Sequence, residues 1–302
     1  MAKQGVQGIL GFPVAPFDRS DNIDERALEA NIRFLLDSGL DAIFICAGSG
    51  EFQSLSVAEY EQMVAMAVSV TAGRVPVYAG TGGNLQHAVV LSDLARINGA
   101  DGLLILPPYL ISPEQEGLYR YYRTIVESAG LPSILYQRDN AVFQPATVQR
   151  LCELPQIVGF KDGFGNMELN VELTRTIGSR LQWMNGMPFA EITMPAYAGL
   201  GFECYSSAMS NYLPHVSRLY FNALRGGDRE LLQTLYAEVL LPINRIRKQR
   251  KGYAVSLIKA GMDIVGLPVG AAVRAPLIEV ETEHYKQLEQ VIRHALDKFP
   301  RP

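Results

Sequence analysis

Gln156-Ile-Val-Gly-Phe-Lys161 is a mostly apolar run that empties into the glycine-bearing turn Asp162-Gly163-Phe164-Gly165. A short apolar segment bounded by turn formers reads as a strand covered on both faces, as in a parallel sheet. Its last residue is a lysine, and burial disfavours the ammonium form. A neutral amine is a nucleophile: it can attack a ketone to give a Schiff base, whose protonated nitrogen draws electrons from the neighbouring carbons without metal or cofactor. The alternative is a lysine that caps the strand and reaches for solvent or for Asp162.

Upstream, Leu131-Pro-Ser-Ile-Leu-Tyr136 has the same character and ends in a tyrosine before the polar Gln137-Arg138-Asp139-Asn140. If both runs belong to one parallel barrel, their C-terminal ends open on the face where that architecture places its chemistry. Tyr136, Arg138 and Lys161 then converge. A phenol beside an ammonium can pass protons while an imine forms and breaks; the alternative is a barrel tyrosine with its hydroxyl tied to backbone.

Apolar runs alternate with amphipathic segments along the whole chain, the pattern of a parallel sheet with crossover helices. Strands are expected at Ile9 to Ala15, Ala42 to Cys46, Val75 to Ala79, Gly102 to Leu106, Ser133 to Tyr136, Ile157 to Lys161, Leu181 to Met184 and Phe202 to Ser206. Eight strands are what a closed (β/α)8 TIM barrel needs. Helix starts are marked by Ser56 ahead of Glu59 and by Asp24 ahead of Leu28, Ile32, Leu35 and Leu36. Helices expected over Arg229 to Arg247, Gly252 to Val265 and His284 to Phe299 exceed the barrel's requirement. The organisation is therefore read as a barrel over 1–225 and a C-terminal helical extension over 226–302 packed on it, because no Pro/Gly/Ser-rich linker separates them.

With 302 residues, 48% of them hydrophobic, and a net charge of −4, the chain describes a soluble globular protein. Its start, Met-Ala-Lys-Gln-Gly-Val-Gln, lacks a long apolar h-region, and no later segment approaches the roughly 18 apolar residues of a membrane helix, so cytoplasm is expected. Cys46, Cys152 and Cys204 show no C-x-x-C spacing and read as small hydrophobes. His87, His215, His284 and His294 show no metal-ligand pairing. The basic run Arg245, Arg247, Lys248, Arg250 and Lys251 reads as a solvated helix face, and an acidic protein argues against a nucleic-acid partner.

Two further groups belong at the barrel mouth. Ala47-Gly48-Ser49-Gly50-Glu51 is a small-residue turn at the start of a helical stretch, whose backbone N–H groups suit a carboxylate, or else it is a plain strand-to-helix turn. Ser206, Ser207, Asn185 and Gly186 would line the mouth with neutral groups suited to a polyhydroxy substrate. Arg138 could meet a carboxylate, with Asp139 holding it in place.

Lys161 in Gly-Phe-Lys-Asp, Tyr136 at the preceding strand end, Gly48-Ser49-Gly50-Glu51, Pro107-Pro108-Tyr109 and Gln115-Glu116-Gly117-Leu118 together resemble the dihydrodipicolinate synthase and N-acetylneuraminate lyase superfamily over nearly the whole chain. Departures from the synthase pattern are informative. Gly48-Ser49 stands where a threonine pair is usual, Leu110 where a tyrosine reaches into a neighbouring subunit, and Ala141 where an arginine grips the second substrate. Instead Tyr136-Gln-Arg-Asp-Asn-Ala141, Phe160-Lys-Asp-Gly163 and Arg250-Lys-Gly-Tyr-Ala-Val-Ser256 resemble the superfamily's decarboxylating dehydratases of keto sugar acids, in which asparagine is usual at Gln137. The resemblance implies a cofactor-free Schiff base on Lys161, proton relay by Tyr136, a turn at Gly48 and Ser49 for the carboxylate beside the ketone, and a homo-oligomer, dimer or tetramer. For the far carboxylate, Arg138 competes with neutral donors such as Ser206 or Asn185. An aldolase of the same superfamily and a non-catalytic sugar-acid sensor are the alternatives.

Overall fold

A computed structural model describes residues 6–301; residues 1–5, part of the start expected to lack an apolar h-region, and residue 302 lie outside the described residues. The chain alternates β1 (Gly8–Gly11), α1 (Glu25–Asp37), β2 (Ala42–Ile45), α2 (Val57–Thr71), β3 (Val77–Thr81), α3 (Leu85–Ile97), β4 (Gly102–Ile105), α4 (Gln115–Ala129), β5 (Ser133–Gln137), α5 (Pro145–Leu151), β6 (Ile157–Asp162), α6 (Met167–Ile177), β7 (Gln182–Asn185), α7 (Ala190–Ala198), β8 (Cys204–Ser207) and α8 (Pro214–Gly226). All eight strands are parallel and close into a barrel, β8 pairing with β1. Every expected strand is present, with shifted ends. β1 stops at Gly11, well short of Ala15, because Phe12 leads into Pro13, which has no N–H to offer a ladder.

The helices start where the caps predict. Asp24 accepts from the Ala27 N–H, and Ser56 forms a full capping box with Glu59, each such cap contributing about 1 kcal/mol. Between sheet and helices runs an aromatic chain from Tyr122 through Phe143, Phe160, Trp183 and Phe202 to Tyr197, with successive ring centroids 4.8–5.7 Å apart in tilted or edge-on contact. Each pair adds about 0.5–1.5 kcal/mol to its burial, which stiffens the side of the barrel that carries β6.

Beyond α8 come α9 (Arg229–Leu235), a π-helical turn (Tyr236–Leu240), α10 (Leu241–Arg247), α11 (Tyr253–Ile264) and α12 (Thr282–Lys298). The wide turn relieves Pro242, which lacks an N–H and would crowd the Glu238 carbonyl four residues back. α12 packs against α10, α11 and the π turn, and the π turn also meets α7. A buried ion pair, Lys259 Nζ to Glu51 Oε1 at 2.6 Å with both side chains fully buried, ties α11 to the loop after β2. Among the described residues, no helix is long and apolar enough to cross a membrane.

Candidate active site

Strand alternation sorts the residues at the barrel mouth. In register, Tyr136 lies beside Lys161, Lys161 beside Met184 and Met184 beside Cys204, while the next row is Gln137, Asp162, Asn185 and Tyr205. Successive side chains of a strand point to opposite faces, so one row faces the barrel interior and the next faces the helices.

Lys161 is 5% exposed. Its Nζ lies 4.3 Å from the ring centroids of both Phe12 and Tyr136 and makes no hydrogen bond or ion pair among the described residues. Burial, assisted by the Arg138 guanidinium, pushes its pKa down to about 7. The stem has space only because residue 186 is glycine: a Cβ there would fall 2.6 Å from Lys161 Cγ. Tyr136 accepts a hydrogen bond from Arg138 Nη1 at 3.2 Å, whereas Asp139 is mostly exposed and 3.9 Å from Arg138, so the tyrosine holds the arginine more closely than its acidic neighbour does. Burial pushes the Cys46 and Cys204 thiols up, which makes them poor nucleophiles.

The outward row is saturated. Asp162 accepts from Gln137 Nε2 (3.1 Å), Phe164 N (3.0 Å), Gly165 N (3.1 Å), Asn170 Nδ2 (2.7 Å) and Tyr197 Oη (2.6 Å). Asn185 belongs to this row too, which corrects its expected place on the mouth lining. Its amide donates to Ala190 O and Thr193 Oγ1 and accepts from Met187 N, so it shapes the loop after β7. Ser206, one residue off that row, does reach the cavity, its hydroxyl 3.4 Å from the Asn185 carbonyl.

The turn after β2 also lines the cavity through Gly48 and Ser49. The N–H groups of Gly48 and Ser49 donate to nothing among the described residues, while Ser49 Oγ donates to Phe12 O at 3.0 Å. This turn does not open a helix directly: a short 3-10 turn, Phe52–Ser54, intervenes before α2. Glu51 leaves the turn with a left-handed φ of 50° and is held there by Lys259 and by the Arg274 N–H at 2.9 Å.

The cavity holds about 320 Å³, and its walls include residues that the sequence reading does not place at the barrel mouth. α11 contributes Ala254, Val255 and Ile258, and Arg247 enters from the end of α10. The basic run is thus split, correcting its reading as one solvated face: Arg245, Lys248, Arg250 and Lys251 are exposed, whereas Arg247 is half-buried. Its spacing carried the signal, four residues after the buried Ile243 and next to the buried Ile246. Among the described residues, Lys161, Arg138 and Arg247 line the cavity with no acidic residue in its walls, so a net-acidic protein presents a basic pocket. Among the described residues no cluster of His, Cys, Asp and Glu could hold a metal ion.

A closed (β/α)8 barrel with a desolvated, unpaired lysine at the end of β6 and a tyrosine beside it on β5 places the molecule among the aldolase-like barrels. More narrowly, the chain belongs to the Dihydrodipicolinate synthetase family, which it matches over residues 5–295. It is 60% identical over 294 residues to a Bacillus subtilis protein described as "Probable 5-dehydro-4-deoxyglucarate dehydratase", covering 97% of this chain and 96% of that one. Among solved structures it is similar to dihydrodipicolinate synthase from Bacillus clausii, with 27% identity, a TM-score of 0.86 and coverage of 96% and 97% of the two chains. It is equally similar to YagE of E. coli K12, a prophage protein of the dihydrodipicolinic acid synthase family crystallised with pyruvate, at 26% identity, a TM-score of 0.86 and coverage of 95% and 98%.

Proposed function

We propose that this chain is a decarboxylating dehydratase that converts 5-dehydro-4-deoxyglucarate to 2,5-dioxopentanoate, water and carbon dioxide. The observation that carries the reading is Lys161: a buried lysine with no anionic partner, its pKa pushed down to about 7, in a basic cavity. The 60% identity to the Bacillus subtilis dehydratase supports the choice of substrate.

In this reading the neutral Lys161 amine attacks the substrate ketone, and loss of water gives a protonated imine. A proton then leaves the adjacent methylene, and the β-hydroxyl departs with a proton as water. The resulting conjugated imine accepts the electron pair released as the far carboxylate leaves as carbon dioxide; the dienamine so formed takes up a proton on carbon, its enol tautomerises to the aldehyde, and hydrolysis of the restored imine frees the amine. Tyr136, its ring against Lys161 Nζ and its oxygen bound to Arg138, relays protons. The free N–H groups of Gly48 and Ser49 receive the carboxylate beside the ketone. Ser206 offers the hydroxyl groups a neutral partner, and Gly186 makes room for the imine-bearing stem. A homo-oligomer working in the cytoplasm completes the proposal; the exposed Tyr109, Leu110 and Ile111 of the loop after β4 suit a subunit contact.

Borohydride trapping with 5-dehydro-4-deoxyglucarate, read by intact mass, tests this. A Lys161 adduct absent from Lys161→Ala, with carbon dioxide released during turnover, is expected. Pyruvate in place of carbon dioxide would make the protein an aldolase, and no adduct would remove the Schiff base.

A further inference from the structure

The three cations of the cavity are not equivalent. Lys161 is the group that reacts, and Arg138 is bound to the Tyr136 hydroxyl. Arg247 has no hydrogen bond or ion pair for its guanidinium among the described residues, although Arg250, three positions on, pairs with Glu281 at 2.7 Å. It is half-buried and lies close enough to Arg138 that burial and that second cation both push its pKa down. A partly desolvated guanidinium facing another across an acid-free cavity lacks its anion.

Resting on the dehydratase reading, we infer that Arg247 holds the substrate's second carboxylate, the one remote from the ketone, and so selects keto diacids over keto monoacids. The wall it occupies supports this. The carboxylate beside the ketone is met by the turn after β2, on the barrel itself, whereas Arg247 projects from α10 of the C-terminal helices into the same cavity. A substrate with a carboxylate at each end can bridge the two walls with its ketone toward Lys161.

An arginine stabilises a carboxylate as it binds and opposes its loss as carbon dioxide, so this contact acts on binding more than on turnover. Arg247 is therefore a specificity residue, and its removal should raise KM for the diacid without lowering kcat. The probes are 2-oxoadipate and 2-oxohexanoate, keto acids of equal length that differ in the second carboxylate, trapped at Lys161 with borohydride. Wild type should trap 2-oxoadipate at a concentration about ten- to a hundredfold lower than 2-oxohexanoate, the range of a charge-assisted hydrogen bond. Arg247→Met should abolish that preference while trapping 2-oxohexanoate as wild type does, and Arg247→Lys should restore part of it. A preference that survives Arg247→Met, equal trapping of both acids by wild type, or loss of both in the variant overturns the inference. Preference intact without turnover of 5-dehydro-4-deoxyglucarate sinks the dehydratase reading and leaves this one standing.

Discussion

Among the described residues two lysines are buried, and their surroundings differ in one respect that decides what each can do. Lys259, on α11, sits 2.6 Å from a Glu51 oxygen and donates at 2.5 Å to the Ala272 carbonyl, with its ammonium over the Phe17 ring. Lys161, on β6, has two aromatic rings and, among the described residues, no acceptor. Burial alone therefore does not make a lysine reactive; burial without an anion does. Asp162, the carboxylate nearest to Lys161 in the chain, cannot supply that anion, because it belongs to the outward row and is engaged by five donors there.

The contrast can be broken hardest at the paired lysine. Lys259→Met should cost about 3–5 kcal/mol of stability, because it leaves Glu51 charged and buried, and adding Glu51→Gln should recover much of the loss. Denaturant unfolding of the single and double variants reads this; a double variant no more stable than the single one would mean that Glu51 does not need its charge matched.

At the unpaired lysine the sign reverses. The folded pKa of about 7 lies below the ordinary 10.5, so between those values the unfolded chain binds a proton that the folded one does not. Wild-type stability should accordingly rise with pH across that window, the cost of burying Lys161 being full below it. Lys161→Met should stabilise the protein by roughly 1–3 kcal/mol at pH 7, with the gain shrinking toward pH 10. Melting temperatures at the two pH values decide it, and a gain independent of pH would mean that the lysine's charge is not what burial penalises.

The smallest effect sharpens the cause. Because Arg138 helps to lower the Lys161 pKa, Arg138→Gln should move the acid limb of borohydride trapping to higher pH by up to about one unit. An unmoved limb would assign the whole depression to burial.

Much of this was legible in the sequence, for definite reasons. Short apolar runs ending in polar turns identify parallel strands directly, so the eight barrel strands and the mouth pairing of Tyr136 with Lys161 follow from local pattern. Asn185 was misplaced because naming a strand's end does not tell which way its last side chain points; pairing it with Asp162 across β6 and β7 does. Arg247 was hidden inside a run of like charges, although its helical spacing from Ile243 put it on the buried side. Glu51 and Lys259, 208 residues apart, have no shared local pattern, and only the closed fold brings them together.

That separation bears on how the protein is made. During synthesis the turn after β2 emerges well before α11, so Glu51 lacks its Lys259 countercharge while most of the barrel's strands already exist. The turn after β2 is braced, and Arg247, Val255 and Ile258 join the cavity, only when α10 and α11 dock. The nascent barrel thus holds Lys161 before it holds the complete cavity lining, whose last walls come from α10 and α11.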